Sequence, residues 1–243
     1  METEALKELW TLCFGDEGSW IDAFLSTAFD PRHTCLLTRQ GKLAAALAWM
    51  DVQCDGRKLA YLYAIATHPD CRGQGLCREL MGKAHGELAA QGYGGTILVP
   101  ADAGLRNMYA KMGYENFGGI REFSARAERP VSLRKVTAAE YARLRKALLP
   151  AGGVVQEDGA IAYLEKSADL YAGEDFLLAA APEEGQLMGI ELLGSRKSAG
   201  GILGALGYEK GVLRTPGGDK PFAMYRPLTQ DRWTPGYFGL AFE

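Results

Sequence analysis

The sequence predicts an α/β protein built on a mixed α+β sheet. Helical stripes of apolar residues are followed by short apolar runs bounded by turn residues. A run of strand, glycine bend, helix and strand stands at Leu59–Val99. Hairpin signals precede that run, and they call for antiparallel neighbours around one parallel pair.

The elements follow in order. Leu6, Leu9, Trp10 and Cys13 repeat at helical spacing and mark one face of a short helix. Ser19 with Asp22 is a capping-box pattern, opening a helix to about Phe29 that Asp30-Pro31 stops. Thr34–Arg39 and Leu43–Val52 read as strands joined at Gln40-Gly41-Lys42, and Asp55-Gly56 turns the chain into a strand over Leu59–Thr67. After the glycine bend, Leu76, Leu80, Ala84 and Leu88 make the stripe of a long helix, with Gly92 as its stop. Thr96–Val99 is a strand and Leu105–Met112 a helix ended by Gly113. The pattern restarts near Glu128–Arg134. Thr137 with Glu140 caps a helix striped by Tyr141, Leu144 and Leu148, Ala160–Tyr171 reads as another helix, and Phe176–Ala181 and Leu187–Leu193 read as strands. Two domains are therefore expected, 1–128 and 129–243, the second a degenerate copy of the first. Gly41-x-Leu43 resembles Gly185-x-Leu187, and Met112-Gly113-Tyr114-Glu115 resembles Leu206-Gly207-Tyr208-Glu209. On those matches the second copy lacks the strand, glycine loop and long helix of the first.

Composition narrows the chemistry. With 243 residues, 47% of them hydrophobic, the chain has material for a packed core. Lys+Arg 27 against Asp+Glu 30, with no long basic run, argues against nucleic acid as a partner. The longest apolar run, Leu43–Met50, is far short of a membrane span, and the acidic, amphipathic start is unlike a signal peptide, so a cytoplasmic location is expected. Five cysteines without a CxxC pair, and three histidines without HxxxH or HExxH spacing, point to no disulfide framework and no metal site. Gly201-x-x-Gly204-x-x-Gly207 reads as loop and close packing, His68 as a surface loop residue, and Trp233–Phe242 as a packed terminus.

The informative stretch is Ile65-Ala66-Thr67-His68-Pro69-Asp70-Cys71-Arg72-Gly73-Gln74-Gly75-Leu76-Cys77. A strand ends, the chain turns through two glycines, and a helix begins. Successive N–H groups in such a bend can point at one anion, and the helix N-terminus adds roughly half a positive charge. No Lys-Ser/Thr follows Gly75, which excludes a P-loop, and Arg78 stands where a dinucleotide fingerprint needs its third glycine.

What remains resembles the acyl-CoA loop of the GNAT N-acetyltransferases, Arg/Gln-x-x-Gly-x-Gly/Ala, with Cys77 at the last small position. A second stretch agrees. Asp102 and Leu105-Arg106-Asn107-Met108-Tyr109-Ala110-Lys111-Met112-Gly113-Tyr114 resemble the family's distal Asn…Tyr-x-x-x-Gly-Phe segment, with Asp102 at the asparagine position. The resemblance covers about residues 1–128 and implies a GNAT acyl-CoA N-acyltransferase fold followed by a truncated GNAT-like half. It implies transfer of the acetyl group of acetyl-CoA, as co-substrate, to a small-molecule or peptide amine. Ile65 and Thr67 would pair with the pantetheine arm, and an N–H near Ile65–Ala66 would meet the oxyanion. Arg72, Gly73, Gln74, Gly75, Leu76 and Cys77 would hold the pyrophosphate, Asp102 would stand at a pantetheine contact, and Tyr109 would return a proton to the leaving thiolate. With the thiol near 8.5 and tyrosine near 10, that transfer is uphill by about 2 kcal/mol. For the base that accepts the amine's proton, Asp51 and the terminal carboxylate of Glu243 both stay open. A homodimer is compatible with the reading. The alternatives are a non-catalytic acyl-CoA-binding or sensing module, and a scaffold whose loop is vestigial.

Overall fold

The structure is a computed structural model, and it describes residues 2–15 and 19–242. Helices α1 (Glu2–Phe14) and α2 (Ser19–Thr27) precede strands β1 (Thr34–Arg39), β2 (Lys42–Cys54) and β3 (Arg57–Thr67). A short 3-10 turn (Pro69–Cys71) leads to α3 (Leu76–Ala90), β4 (Gly95–Leu98), α4 (Ala103–Ala110) and β5 (Glu115–Arg126). The second half runs β6 (Leu133–Lys135), α5 (Ala138–Leu148), β7 (Val155–Gln156), α6 (Asp158–Leu164), β8 (Asp169–Gly173), β9 (Phe176–Glu183) and β10 (Gln186–Gly194). A second 3-10 turn (Arg196–Ser198), α7 (Ala199–Leu206), β11 (Lys210–Pro216) and β12 (Lys220–Pro227) complete it.

All twelve strands share one mixed sheet, ordered β1-β2-β3-β4-β12-β5-β11-β10-β9-β8-β6, with β7 on the flank of β2. From β1 to β8 this order is a palindrome: exchange each of β1–β5 with the strand seven places later and it reads the same from the other end. β3 runs parallel to β4 as β10 does to β11, over three residue pairs each. Each half gives its last strand to the other. β12 sits between β4 and β5, and β5 sits between β12 and β11. The sequence position 128 thus falls inside one continuous sheet.

Three packed regions follow from the sheet's two faces. On one face lie α1, α2, α5, α6 and the C-terminal tail, over residues such as Tyr61, Ile97 and Ala179. On the other, α3 and α4 cover the first half, and α7 covers the second. Burial this extensive, at roughly 25 cal/mol per Å² of apolar surface, is the main stabilising term.

The structure corrects several expectations. The helix expected over Ala160–Tyr171 stops at Leu164, and Asp169–Gly173 is a strand. Ser167 and Ala168 both donate to the Leu164 carbonyl and close the helix, after which Ala168, Leu170 and Ala172 are buried alternately, with the period of a strand. The strand and helix expected to be missing from the second half are present as β10 and α7, although α7 has 8 residues against 15 in α3. The hairpin at Gly185 corresponds to Asp55-Gly56 rather than to Gly41, and Gly207 ends the helix before β11 as Gly92 ends the one before β4. All of these glycines have positive φ, so the two local matches caught the chemistry of tight turns. The expected loop at Gly201–Gly207 is mostly helix, but the close packing is real. A Cβ on Gly204 would lie 2.2 Å from the Glu128 carbonyl oxygen and one on Gly201 2.4 Å from Val131.

A buried ion pair ties the tail to the second half. Glu191 on β10 accepts from Arg145 Nε and Nη2 at 2.6 and 2.9 Å and from the Tyr237 hydroxyl at 2.9 Å. Both charged side chains are almost wholly buried. Glu191→Ala leaves the Arg145 charge without its counter-ion and is expected to cost 3–5 kcal/mol of stability. Urea denaturation checks this, and a midpoint equal to wild type would show the pair contributes nothing.

Candidate active site

The site forms where β3 and β4 part. Their parallel pairing covers Leu59–Tyr61 against Gly95–Ile97; β4 ends one residue later, while β3 runs on to Thr67. The last five residues of β3, Tyr63 to Thr67, therefore face no strand on that side, and a cleft opens through the sheet. A bulge shapes this edge. Ala46 pairs with Ala66 but Ala48 with Tyr63, so Ala64 and Ile65 oppose the single residue Leu47. Tyr63 and Ala64, consecutive in sequence, both face the α1–α2 side, and Ile65 is turned to the α3 side. Ala64 holds φ at +50°, which an L-residue adopts only under outside constraint. That constraint is visible: the buried Trp10 indole N–H donates to the Ala64 carbonyl at 2.9 Å.

The glycine bend closes the mouth of the cleft. Gly73 and Gly75 have φ of +74° and +79°, and a Cβ on either would meet only open space. They are required for the turn, not for packing. Among the described residues, no acceptor within the chain takes the N–H groups of residues 73–78. The first partnered amide after them is that of Glu79, to Gly75. Six free amides at the start of a 15-residue helix fit an anion with the geometry and partial charge a pyrophosphate needs. Arg72 is turned the other way, its Nε donating to the Thr67 carbonyl at 3.2 Å. The same carbonyl accepts from the Cys13 thiol at 3.3 Å, so it is occupied on both lone pairs. Gln74 reaches back to the Asp70 carbonyl, and His68 Nδ1 caps the 3-10 turn by accepting from the Asp70 N–H. Leu76 is buried under α3, and the Cys77 thiol is half-buried, with burial raising its pKa, so it packs as a neutral small side chain.

Tyr109 belongs to the same wall. It is 6% exposed, packed with Tyr114 edge to face at 5.9 Å between centroids, and near Cys77. Among the described residues its hydroxyl has no hydrogen-bond partner, yet it is not among the sealed, unsatisfied polar atoms: the ring is buried and the hydroxyl tip is open. Burial pushes its pKa well above the usual tyrosine value, so it stays protonated across neutral pH. Asp102 serves locally. It is the N-cap of α4, accepting from the Leu105 N–H at 2.7 Å.

Asp51 stands at the wrong end of the strands. It pairs with Ala60, about 16 Å along β3 from Ile65, and its carboxylate takes the Tyr93 hydroxyl at 2.5 Å and the Lys58 ammonium at 3.3 Å. It is therefore removed as a base. Glu243 lies outside the described residues.

Several positioning residues carry no local signal in the sequence. Arg106 on α4 donates to the carbonyls of Pro221 and Phe222, and Arg226 on β12 donates to Met112 at 2.7 Å. A Cβ on Gly95 would lie 2.3 Å from the Tyr225 ring, so that glycine admits β12 beside β4. On the opposite face of the cleft, Tyr63 meets the Tyr163 hydroxyl at 2.9 Å, and Phe242 packs on Tyr61, Tyr63 and Tyr163. Trp233–Phe242 is thus mainly a packed terminus, as expected, whose last described ring reaches the site.

His85 supports the site from behind. Its Nε2 lies 2.9 Å from the Tyr114 hydroxyl, which also lies 2.8 Å from Thr96 Oγ1. Burial, with Arg226 nearby, lowers its pKa from 6.5 to about 4. The unfolded chain therefore binds the extra proton between those values, and this contribution to stability is full above pH 6.5 and lost as pH falls toward 4. The loss is on the order of 2–3 kcal/mol. Denaturation midpoints at pH 7 and pH 4.5 should show it, with a smaller drop in His85→Gln; equal drops in both proteins would contradict the assignment.

Comparison with known proteins gives three findings. Residues 1–117 match the family model described as an acetyltransferase (GNAT) domain. No curated protein matches the sequence. Solved structures of similar fold include a GCN5-related N-acetyltransferase from Kribbella flavida, at 18% identity, covering 93% of this chain and 68% of that one with a TM-score of 0.69. One from Anabaena variabilis has 15% identity, 93% and 70% coverage and a TM-score of 0.72. Eis1 from Mycobacterium abscessus has 12% identity, 93% and 71% coverage and a TM-score of 0.71. At these identities the likeness is one of fold, and it extends over both halves. Among the described residues no helix is long and apolar enough to cross a membrane, and no three His, Cys, Asp or Glu side chains cluster as metal ligands. The glycine bend, the split between β3 and β4, and Tyr109 all lie in residues 1–117, the stretch that matches the acetyltransferase (GNAT) domain model.

Proposed function

We propose that the protein transfers the acetyl group of acetyl-CoA to a primary amine. The observation that carries this reading is the row of six unpartnered amides at residues 73–78, over two left-handed glycines with open space above them, at the mouth of a split between parallel strands.

The amides of residues 73–78 bind the pyrophosphate, and the bare edge of β3 near Ile65 accepts the pantetheine arm as an added strand. The Thr67 carbonyl already has two donors, so Ile65 is the main-chain partner on this edge. The bulge at Ala64 aims an amide near Ile65–Ala66 at the developing oxyanion. The neutral amine nitrogen attacks the thioester carbonyl carbon, the N–C bond forms and the C–S bond breaks. The Tyr109 hydroxyl then donates to the leaving sulfur, and the proton shed by the amine leaves to solvent. Orientation supplies much of the acceleration. The second half is a degenerate copy without a CoA loop, since Ser195, Arg196 and Lys197 occupy the bend that glycines form in the first half. It shapes the acceptor side.

Calorimetry with acetyl-CoA should give one site per chain, lost in Gly75→Val, whose side chain cannot hold the left-handed bend. Two sites would refute the inert second half, and no binding would refute the reading as a whole. Tyr109→Phe is expected to lower turnover on the order of 10²-fold with acetyl-CoA affinity unchanged. Unchanged turnover would remove Tyr109 from the mechanism. Acetyl-CoA binding without thiol release on any amine would favour a binding or sensing module instead.

A further inference from the structure

The acetyl donor's loop and Tyr109 lie on the α3 face of the sheet, so an acceptor reaches the split from the face of α1, α2 and α6. On that face is a cavity of about 170 Å³, walled by Tyr163 and Ser167 from the α6 end, Met188 and Ile190 on β10, Glu183 at the end of β9, and Phe242 of the tail. Two of these rings connect it to the split. The Tyr163 hydroxyl lies 2.9 Å from that of Tyr63, two residues before Ile65, and Phe242 packs on the same tyrosine. Strand register places it at the same end of the sheet, since Arg214 in its wall pairs with Glu122 on β5, two residues beyond the Ile120 that faces Lys220 at the start of β12.

Size and charge select the occupant. At about 170 Å³ the cavity has room for a short alkyl chain. Arg214 shares Glu122 with Lys220, at 3.3 and 3.0 Å, while the Glu183 side chain, the carboxylate of this wall, makes no ion pair or hydrogen bond among the described residues.

We propose that this cavity is the acceptor subsite and that it selects a short diamine, whose distal ammonium rests on Glu183 while its alkyl chain lies along Met188, Ile190 and Phe242. The inference rests on the acetyltransferase reading and names that site's substrate class. One amine stays charged as the anchor. The other, unprotonated, points past Tyr163 toward the split, where its nitrogen forms the amide bond as the thioester C–S bond breaks. Glu183 is half of a recognition pair and touches no reacting atom.

The test compares 1,4-diaminobutane with butylamine by thiol release at fixed acetyl-CoA. The diamine is expected to have a kcat/KM at least tenfold higher, an advantage that shrinks as salt is raised. Glu183→Gln should raise KM for the diamine about tenfold, leave its kcat intact and leave butylamine unaffected. Met188→Trp, which fills the cavity, should weaken both amines without changing acetyl-CoA affinity by calorimetry. Equal use of the two amines, an equal effect of Glu183→Gln on both, or full activity in Met188→Trp would overturn the subsite while leaving the acetyltransferase reading standing. No thiol release with either amine, despite bound acetyl-CoA, would also overturn the subsite, and only its absence across a wider panel of amines would overturn the acetyltransferase reading.

Discussion

The constraint on which the rest depends is the place of β12. A strand from the end of the chain lies between β4 and β5, so the first half has no complete sheet until residues beyond 220 arrive. The same strand fixes α4. Arg106 reaches the carbonyls at its start and Arg226 the carbonyl at the end of the Tyr109 helix. Tyr109 is therefore held at the split by contacts more than 100 residues away in sequence. The reciprocal exchange of β5 makes the halves interdependent: neither presents an intact sheet edge at the join.

The tail makes a second tie of the same kind. Tyr237 accepts and donates across Gly152 and Val154, and its hydroxyl binds Glu191, whose buried carboxylate is matched to Arg145. An ion pair taken out of water gains little net energy, but with either partner missing it costs several kcal/mol, so it specifies one seat for the tail. That seat sets Phe238 on Tyr61 and Phe242 on Tyr63. The α1–α2 face of the split in the first half is thus assembled by the second.

Much of this architecture is legible in the sequence because it is local. The strand, bend and helix around Gly73, the cap at Thr137, and the hairpins before β2 and β3 each declare themselves through turn chemistry or periodicity. What stays hidden is non-local. Nothing in Tyr225 or Gly95 alone says they meet, and nothing in Trp10 says its indole holds a bulge 54 residues on. The two local sequence matches do not follow the strand order, because left-handed glycines recur at every tight turn. The palindromic strand order aligns the halves where sequence spacing cannot. Asp102 shows the converse: a residue at a family position whose carboxylate has the local work of a helix cap.

The same burial that positions Tyr109 also limits what it can do. Desolvation raises its pKa, which widens the gap to the leaving thiol of the proposed reaction beyond the roughly 2 kcal/mol of the unperturbed groups. A full proton transfer to the sulfur grows less favourable as the hydroxyl is more deeply buried, whereas a hydrogen bond to a sulfur gaining charge strengthens in a drier site. In the proposed reaction Tyr109 would therefore act by stabilising the departing thiolate during C–S cleavage, with the proton following once solvent returns. Its open hydroxyl, without a partner in the chain, suits that role, because no internal bond must break before it meets the sulfur.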